Sequence, residues 1–292
     1  MSLIKTLKAQ VQTYLEEEIL FRPRPGSKEL PVAVSSGSAA IPSQLLEDLK
    51  RDGMLVFPGY LRPTILERIL TATTEAYLSR RSDISVTESA ESAYRYIDNP
   101  LRLSPDIFSL AFDPFLVGLI EAYFQCDIFL AEADMRRVLP ISMEEFARLS
   151  VKNTQGYSPC HWHYDMRGRQ VKIMVYLTDV GEGDQNFSFC PTTHRHNADI
   201  PRSRTNYPMS RFPEGWPETH GYSVVECYGK AGTLMMFDTN GVHRLRRTTQ
   251  SQRDSFTFYY TPGQALRSLD YDHEQAALIA PGLRRLLGGS RK

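Results

Sequence analysis

The side chains best able to do chemistry are concentrated in one short stretch, Cys160-His161-Trp162-His163-Tyr164-Asp165. Successive side chains of an extended strand point to opposite faces. The alternation therefore predicts His161, His163 and Asp165 on one face, with Trp162 and Tyr164 on the other. Three ionisable groups on one buried face are costly unless a metal or an opposite charge compensates them. Two imidazoles and one carboxylate on one face of an octahedral ion form the donor set of a non-haem iron(II) site and leave positions open for a co-substrate and dioxygen. His163 and Asp165 supply an adjacent pair, so the third ligand must come from elsewhere in the chain. His243 is the candidate, because it closes the run Gly232 to His243, where an apolar strand reaches a turn at Asn240-Gly241.

Ten residues after His243 the chain reads Arg253-Asp254-Ser255-Phe256-Thr257-Phe258-Tyr259. Strand alternation places Arg253, Ser255, Thr257 and Tyr259 on a polar face, opposite Phe256, Phe258 and Tyr260. A guanidinium is a planar fork of donors suited to a carboxylate, and Ser255 adds a hydroxyl. The pair suits the distal carboxylate of 2-oxoglutarate, whose keto-acid end would chelate the iron. A zinc hydrolase built on the same ligands lacks a glutamate near the pair to act as base and leaves the arginine unexplained. A cupin-type site has His161-x-His163, but Met166, Arg167, Gly168 and Arg169 follow where that pattern needs a glutamate.

The elements that must position these residues are legible in part. Helical periodicity runs to about Leu20, with Leu3, Leu7, Val11, Tyr14 and Leu15 near one face, and Pro23 to Gly26 ends it. Ser35 to Ser38 reads as a connector. A second helix is predicted from Pro42 with Ser43 as its cap. Asp52-Gly53 is a turn, Met54 to Phe57 a short buried strand, and Pro63 opens a further helix. Residues 81–100 are polar and give no clear pattern. Pro114 to Phe124 reads as a helix. From Ile128 to Tyr260 short alternating runs predominate, clearest at 128–133, 171–177, 187–189, 233–237 and 255–260, as in a sandwich or barrel. The tail from Glu274 is predicted helical.

One domain spanning 1–292 is expected: a mostly helical part over 1–125, a β-core over 126–262 and a helical tail over 263–292. Residues 197–221 interrupt the β pattern with four prolines and display Arg202, Arg204, Tyr207, Arg211 and Trp216. Long insertions in compact domains are often functional, so this segment is expected to be a lid. His161, Arg204, Arg211 and Trp216 are candidates to touch substrate, and the arginines suit an anionic group. His161 has a second reading as an inert core residue bonded to a backbone carbonyl. His194 and His196 read as structural.

Bulk composition narrows the partners. Lysine plus arginine equals aspartate plus glutamate, at 34 each, which gives no argument for nucleic acid or an anionic membrane. The four cysteines, Cys126, Cys160, Cys190 and Cys227, form no CxxC pair, and suit reduced thiols in a cytoplasmic protein. The first residues contain no signal-peptide run, and no stretch reads as a bilayer-spanning segment.

At these residues the chain resembles the phytanoyl-CoA dioxygenase (PhyH-like) family of Fe(II)/2-oxoglutarate-dependent oxygenases, over roughly residues 45–262. The resemblance rests on Leu49 to Leu61, on Asp184 to His194 with its Cys190-Pro191-Thr192-Thr193-His194 ending, and on Phe237 to Arg244. Thr192 stands where the family usually has glycine. The resemblance implies a mainly β fold with flanking helices around a double-stranded β-helix (jelly-roll, cupin-like) core. It also implies iron, 2-oxoglutarate and O2 as cofactor and co-substrates, with His163, Asp165 and His243 as ligands and Arg253 and Ser255 on the co-substrate. Tyr176 and then Lys172, on the strand after His163, are the further co-substrate contacts it suggests. Because Asp165 is present, hydroxylation or another oxidation is expected instead of halogenation, with release of succinate and carbon dioxide. The expected substrate is a small molecule, with secondary metabolism as the expected setting. The alternatives are desaturation or rearrangement, a catalytically silent binding relative, or a polymeric substrate.

Overall fold

The computed structural model describes residues 41–262, apart from 79–81, 83, 90–92, 99, 143, 146–160, 166–168, 196–199 and 201–210. The predicted first helix, the 35–38 connector, the C-terminal tail, Cys160, His196 and Arg204 lie outside the described residues.

Helix α1 (Ser43–Asp52) buries Leu49 and stops at Gly53, whose φ of 79° is left-handed. Pro42 precedes the helix, and no side chain caps it, so Ser43 is its first residue and not its cap. The Gly53 amide bonds to the Leu49 carbonyl at 2.8 Å, and the chain turns directly into β1 (Met54–Phe57). Helix α2 (Pro63–Tyr77) begins with proline, which suits a first turn because the missing N–H has no helical partner there.

The apolar stretch Pro105–Phe124 is long and apolar enough to cross a membrane by length and composition, contrary to the expectation that no such stretch exists. In the fold it forms two helices, α3 (Pro105–Ala111) and α4 (Pro114–Phe124). Ser104 and Asp113 cap them: the Ser104 hydroxyl accepts from the Asp106 amide, and the Asp113 carboxylate from the Phe115 and Leu116 amides. Ile107, Phe108, Leu116, Leu119 and Ile120 of this stretch belong to the main hydrophobic core.

Among the described residues, two antiparallel sheets form most of the remainder. The larger has seven strands in the order β1-β10-β6-β12-β4-β3-β2, the smaller five in the order β8-β5-β11-β7-β9. Their ranges are β2 (Val86–Ser89), β3 (Tyr94–Asp98), β4 (Ile128–Val138), β5 (Trp162–His163), β6 (Val171–Tyr176) and β7 (Phe187–Phe189). The remainder are β8 (Arg211–Phe212), β9 (Val225–Cys227), β10 (Leu234–Asp238), β11 (His243–Leu245) and β12 (Arg253–Pro262). The polar 81–100 stretch, unassigned from sequence, supplies the edge strand β2 and its neighbour β3.

Alternation divides the large sheet into two environments. Ile173, Val175, Leu234, Met236, Phe256, Phe258 and Tyr260 join the helices in one core. Met174, Tyr176, Met235 and Phe237 face inward with Phe187, Phe189 and Leu245 of the small sheet in a second cluster. The helices thus close the outer face of the large sheet, and the space between the sheets is left for a site.

Gly53 sits where side chains meet: an added Cβ would lie 2.4 Å from the His194 ring. Gly59 has a similarly positive φ of 62° but nothing within 4 Å of such a Cβ. Gly53→Ala is therefore expected to cost about 1–3 kcal/mol through overpacking beyond the backbone penalty, and Gly59→Ala the backbone penalty alone. Urea denaturation measures both. Equal losses would contradict the packing explanation.

Candidate metal centre

β11 lies between β5 and β7, in a register that sets His243 opposite both His163 and Phe189. Strand pairing alone therefore brings together two histidines distant in sequence, with ring centroids 4.4 Å apart. Asp165 follows β5, and its amide donates to the Thr239 carbonyl at 2.9 Å. His163 Nε2 lies 3.8 Å from Asp165 Oδ1, and His243 Nε2 lies 3.9 Å from Oδ2. One donor atom from each of the three residues falls within 4.8 Å of the others.

Both imidazoles are oriented by their own backbone. His163 Nδ1 is 2.7 Å from the His161 carbonyl, and His243 Nδ1 is 2.7 Å from the Gly241 carbonyl. A carbonyl only accepts, so each Nδ1 carries the proton and each Nε2 lone pair is left toward Asp165. Burial, followed by the neighbouring His163, pushes His243 down to about 3, so its imidazole is neutral at ordinary pH. Burial alone would raise the Asp165 carboxyl, but Lys172, His243 and His163 together hold it well below the usual carboxylate range. Two imidazoles whose Nε2 atoms converge on an ionised carboxylate fit a first-row divalent cation by donor chemistry.

The turn before His243 is built from Asp238. Its Oδ1 accepts from the Asn240 amide and side chain at 2.8 and 3.1 Å. Its Oδ2 accepts from the Tyr123 hydroxyl of α4 at 2.7 Å. Gly241 is required for space: a Cβ there would lie 2.2 Å from the Phe189 ring.

A cavity of about 510 Å³ opens beside the three residues, within the range of small-molecule sites. Its walls include Lys172, Met174, Arg253, Ser255, Thr257 and Tyr259, so the polar face predicted for β12 does face the cavity. Arg253 is 1% exposed and donates from Nη1 to the Gln185 carbonyl at 2.8 Å. Two further lining residues, Glu132 and Arg136, were not anticipated. β4 runs to Val138, beyond the predicted end at Ala133, and carries Glu132, Asp134 and Arg136 on alternate positions. That alternation of charges was the available signal. Arg136 donates to Asp134 at 2.7 Å, and the Tyr259 hydroxyl donates to the same carboxylate.

Other candidates are placed differently. Tyr176 is fully buried and does not line the cavity; its hydroxyl donates to the Cys227 carbonyl and accepts from the Phe187 amide. Its hydroxyl thereby ties β6 to β7 and β9. Lys172 does line the cavity, with its ammonium on Asp165 at 2.6 Å. His161 is exposed, which overturns the buried-core alternative, and among the lining residues it does not appear. Trp216 is packed in the core: it is 5% exposed and stacks on Phe212, His220 and Tyr222. Arg211 belongs by its backbone to β8, opposite His163. The described half of the expected lid is thus an edge strand followed by a one-turn helix, α5 (Trp216–Thr219).

A profile of the phytanoyl-CoA dioxygenase (PhyH) family matches residues 49–254. The chain belongs to that family. It is accordingly a non-haem iron, 2-oxoglutarate-dependent oxygenase, and its jelly-roll architecture recurs in solved structures. Apo EctD from S. alaskensis superposes with a TM-score of 0.58 at 17% identity, covering 86% of this chain and 88% of that one. The α-ketoglutarate-dependent carbocyclase SnoK from nogalamycin biosynthesis gives 0.56 at 16% identity, covering 75% and 83%. HygX from Streptomyces hygroscopicus, with nickel, 2-oxoglutarate and hygromycin B bound, gives 0.53 at 19% identity, covering 76% and 88%. A discordant match is the CRISPR-associated endoribonuclease Cas2 3 of Synechocystis sp., 35% identical over 85 residues, 29% of this chain and 87% of that protein. So short a stretch cannot carry both sheets, whose strands run from Met54 to Pro262, and it carries no argument about the site.

Tyr123→Phe removes one donor from the buried Asp238 carboxylate. It is expected to cost about 1–3 kcal/mol and to speed amide exchange at Asn240 and Gly241. A stability loss with unchanged exchange there would mean that the hydroxyl supports α4 and not the turn.

Proposed function

We propose that His163, Asp165 and His243 hold iron(II), that Arg253 and Ser255 take the distal carboxylate of 2-oxoglutarate, and that the enzyme hydroxylates a small molecule seated in the adjoining cavity. The observation that carries this reading is the pair of Nδ1–carbonyl bonds, which leaves both Nε2 atoms facing one half-buried carboxylate. Bound iron with 2-oxoglutarate supplies dioxygen activation, with succinate and carbon dioxide as co-products.

The chain's own work is positioning and exclusion of water. Arg253 is anchored by the Gln185 carbonyl and buried, so its charge acts in a poorly screened setting, where a carboxylate gains most from a guanidinium. Ser255, two residues along the same face, is 3% exposed and adds a hydroxyl donor. Phe187 and Phe237, whose rings lie 5.6 and 5.4 Å from that of His243, wall the histidine off from solvent. Glu132, Arg136 and Tyr259 also line the cavity and give it polar groups with which to orient a functionalised substrate.

A role in secondary metabolism is supported by likeness of fold to SnoK and HygX. Ring formation or another rearrangement is the second outcome, favoured by the carbocyclase among those structures. Product analysis separates it from hydroxylation.

His163→Ala and His243→Ala are each expected to abolish succinate formation from 2-oxoglutarate under air with Fe(II) and ascorbate; wild-type rates in either variant would refute the ligand assignment. Arg253→Ala is expected to raise the 2-oxoglutarate concentration needed for half-maximal succinate formation at least about tenfold, the loss of roughly one strong charge-assisted contact. An unchanged requirement would remove Arg253 from the co-substrate site.

A further inference from the structure

Lys172 is one lining residue whose expected role, contact with 2-oxoglutarate, its geometry does not favour. Its Nζ lies 2.6 Å from Asp165 Oδ2, and the two side chains are only 15% and 14% exposed. The ammonium also lies 4.6 Å from the centroid of the Tyr259 ring, its partner in the β12–β6 register. That ring is fixed at its far end, because its hydroxyl meets both Asp134 and Arg136. Lys172 is therefore held from beneath by an anchored aromatic face and from in front by the carboxylate.

A carboxylate has two oxygens and can grip one cation with both. The difference matters at an octahedral ion. Two imidazoles and one carboxylate oxygen leave three positions, enough for a chelating keto acid and dioxygen together. Two carboxylate oxygens leave two positions, and the keto acid fills both. A device that occupies one oxygen of Asp165 keeps the third position available.

We propose that Lys172 is a positioning residue for Asp165: its charge-assisted hydrogen bond occupies one carboxylate oxygen, so that the carboxylate offers a metal the other, and its positive charge moderates how tightly the cation is held. This rests on the reading of the triad as the iron site. Second-shell partners commonly shift metal affinity by about 10–100-fold. A cationic partner acts against the metal, so here its removal tightens binding.

The test is a titration of the purified full-length chain with Co(II), followed by its visible d–d bands, which report affinity and ligand set together. Lys172→Met is expected to bind Co(II) at least about tenfold more tightly, with bands altered by the added oxygen ligand. Lys172→Arg, which keeps charge and donor, is expected to retain wild-type affinity and bands. Lys172→Gln keeps a donor without the charge, is also expected to bind about tenfold more tightly, and decides the matter if the methionine variant does not fold. Wild-type or weaker affinity in the uncharged variants overturns the proposal alone. A wild-type chain that binds no Co(II), or that binds it as well after His163→Ala, overturns the metal-site reading and this proposal with it.

Discussion

The site depends on one strand pairing. β11 runs antiparallel to β5 and β7, and its register puts His243 directly across from His163. Two imidazoles held at 4.4 Å and a carboxylate within reach of both form an arrangement that burial opposes. The fold sustains it through local bonds: each ring is pinned to a carbonyl two residues upstream, Asp165 is tied to the Thr239 carbonyl, and Lys172 balances the charge. Remove that register and these side chains have no reason to meet.

The remainder of the architecture frees this pairing to be polar. The outer face of the large sheet carries the apolar burial, against α1 to α4, and the small sheet packs Trp162, Tyr164, Phe212, Trp216 and Val242 in a cluster of their own. With those faces filled, the inner faces can hold Arg253, Ser255, Thr257 and Tyr259 around a cavity without the fold collapsing onto it. β12 shows the division in one strand: phenylalanines on one side, a guanidinium and hydroxyls on the other. The turn at Asp238 links the two layers, since Tyr123 of α4 reaches the carboxylate that shapes the approach to His243.

Much of this was legible in the sequence where a period of two is strong. The His163–Asp165 spacing, the late His243 after Asn240-Gly241 and the polar face of β12 all follow from alternation. The misreadings have physical causes. β5 is two residues long, too short to carry His161 onto the face of His163. Tyr176 shares a face with Lys172 and Met174 but lies far enough along β6 for its hydroxyl to serve backbone groups of β7 and β9. Glu132 and Arg136 were overlooked because charged residues break the apolar rhythm by which β4 was recognised. Trp216 looked like a loop residue because prolines surround it, whereas three stacked rings make it core. In the stretch Pro105–Phe124, Asp113 divides the apolar run, and that aspartate is the cap that starts α4.

Anomalous diffraction from a crystal grown anaerobically with Fe(II) and 2-oxoglutarate, measured on both sides of the iron absorption edge, tests the central claim most directly. The account predicts a single strong iron peak at bonding distance from His163 Nε2, His243 Nε2 and Asp165, with the distal carboxylate of the bound keto acid on Arg253. A peak elsewhere, or one that any of those three side chains fails to reach, would contradict it.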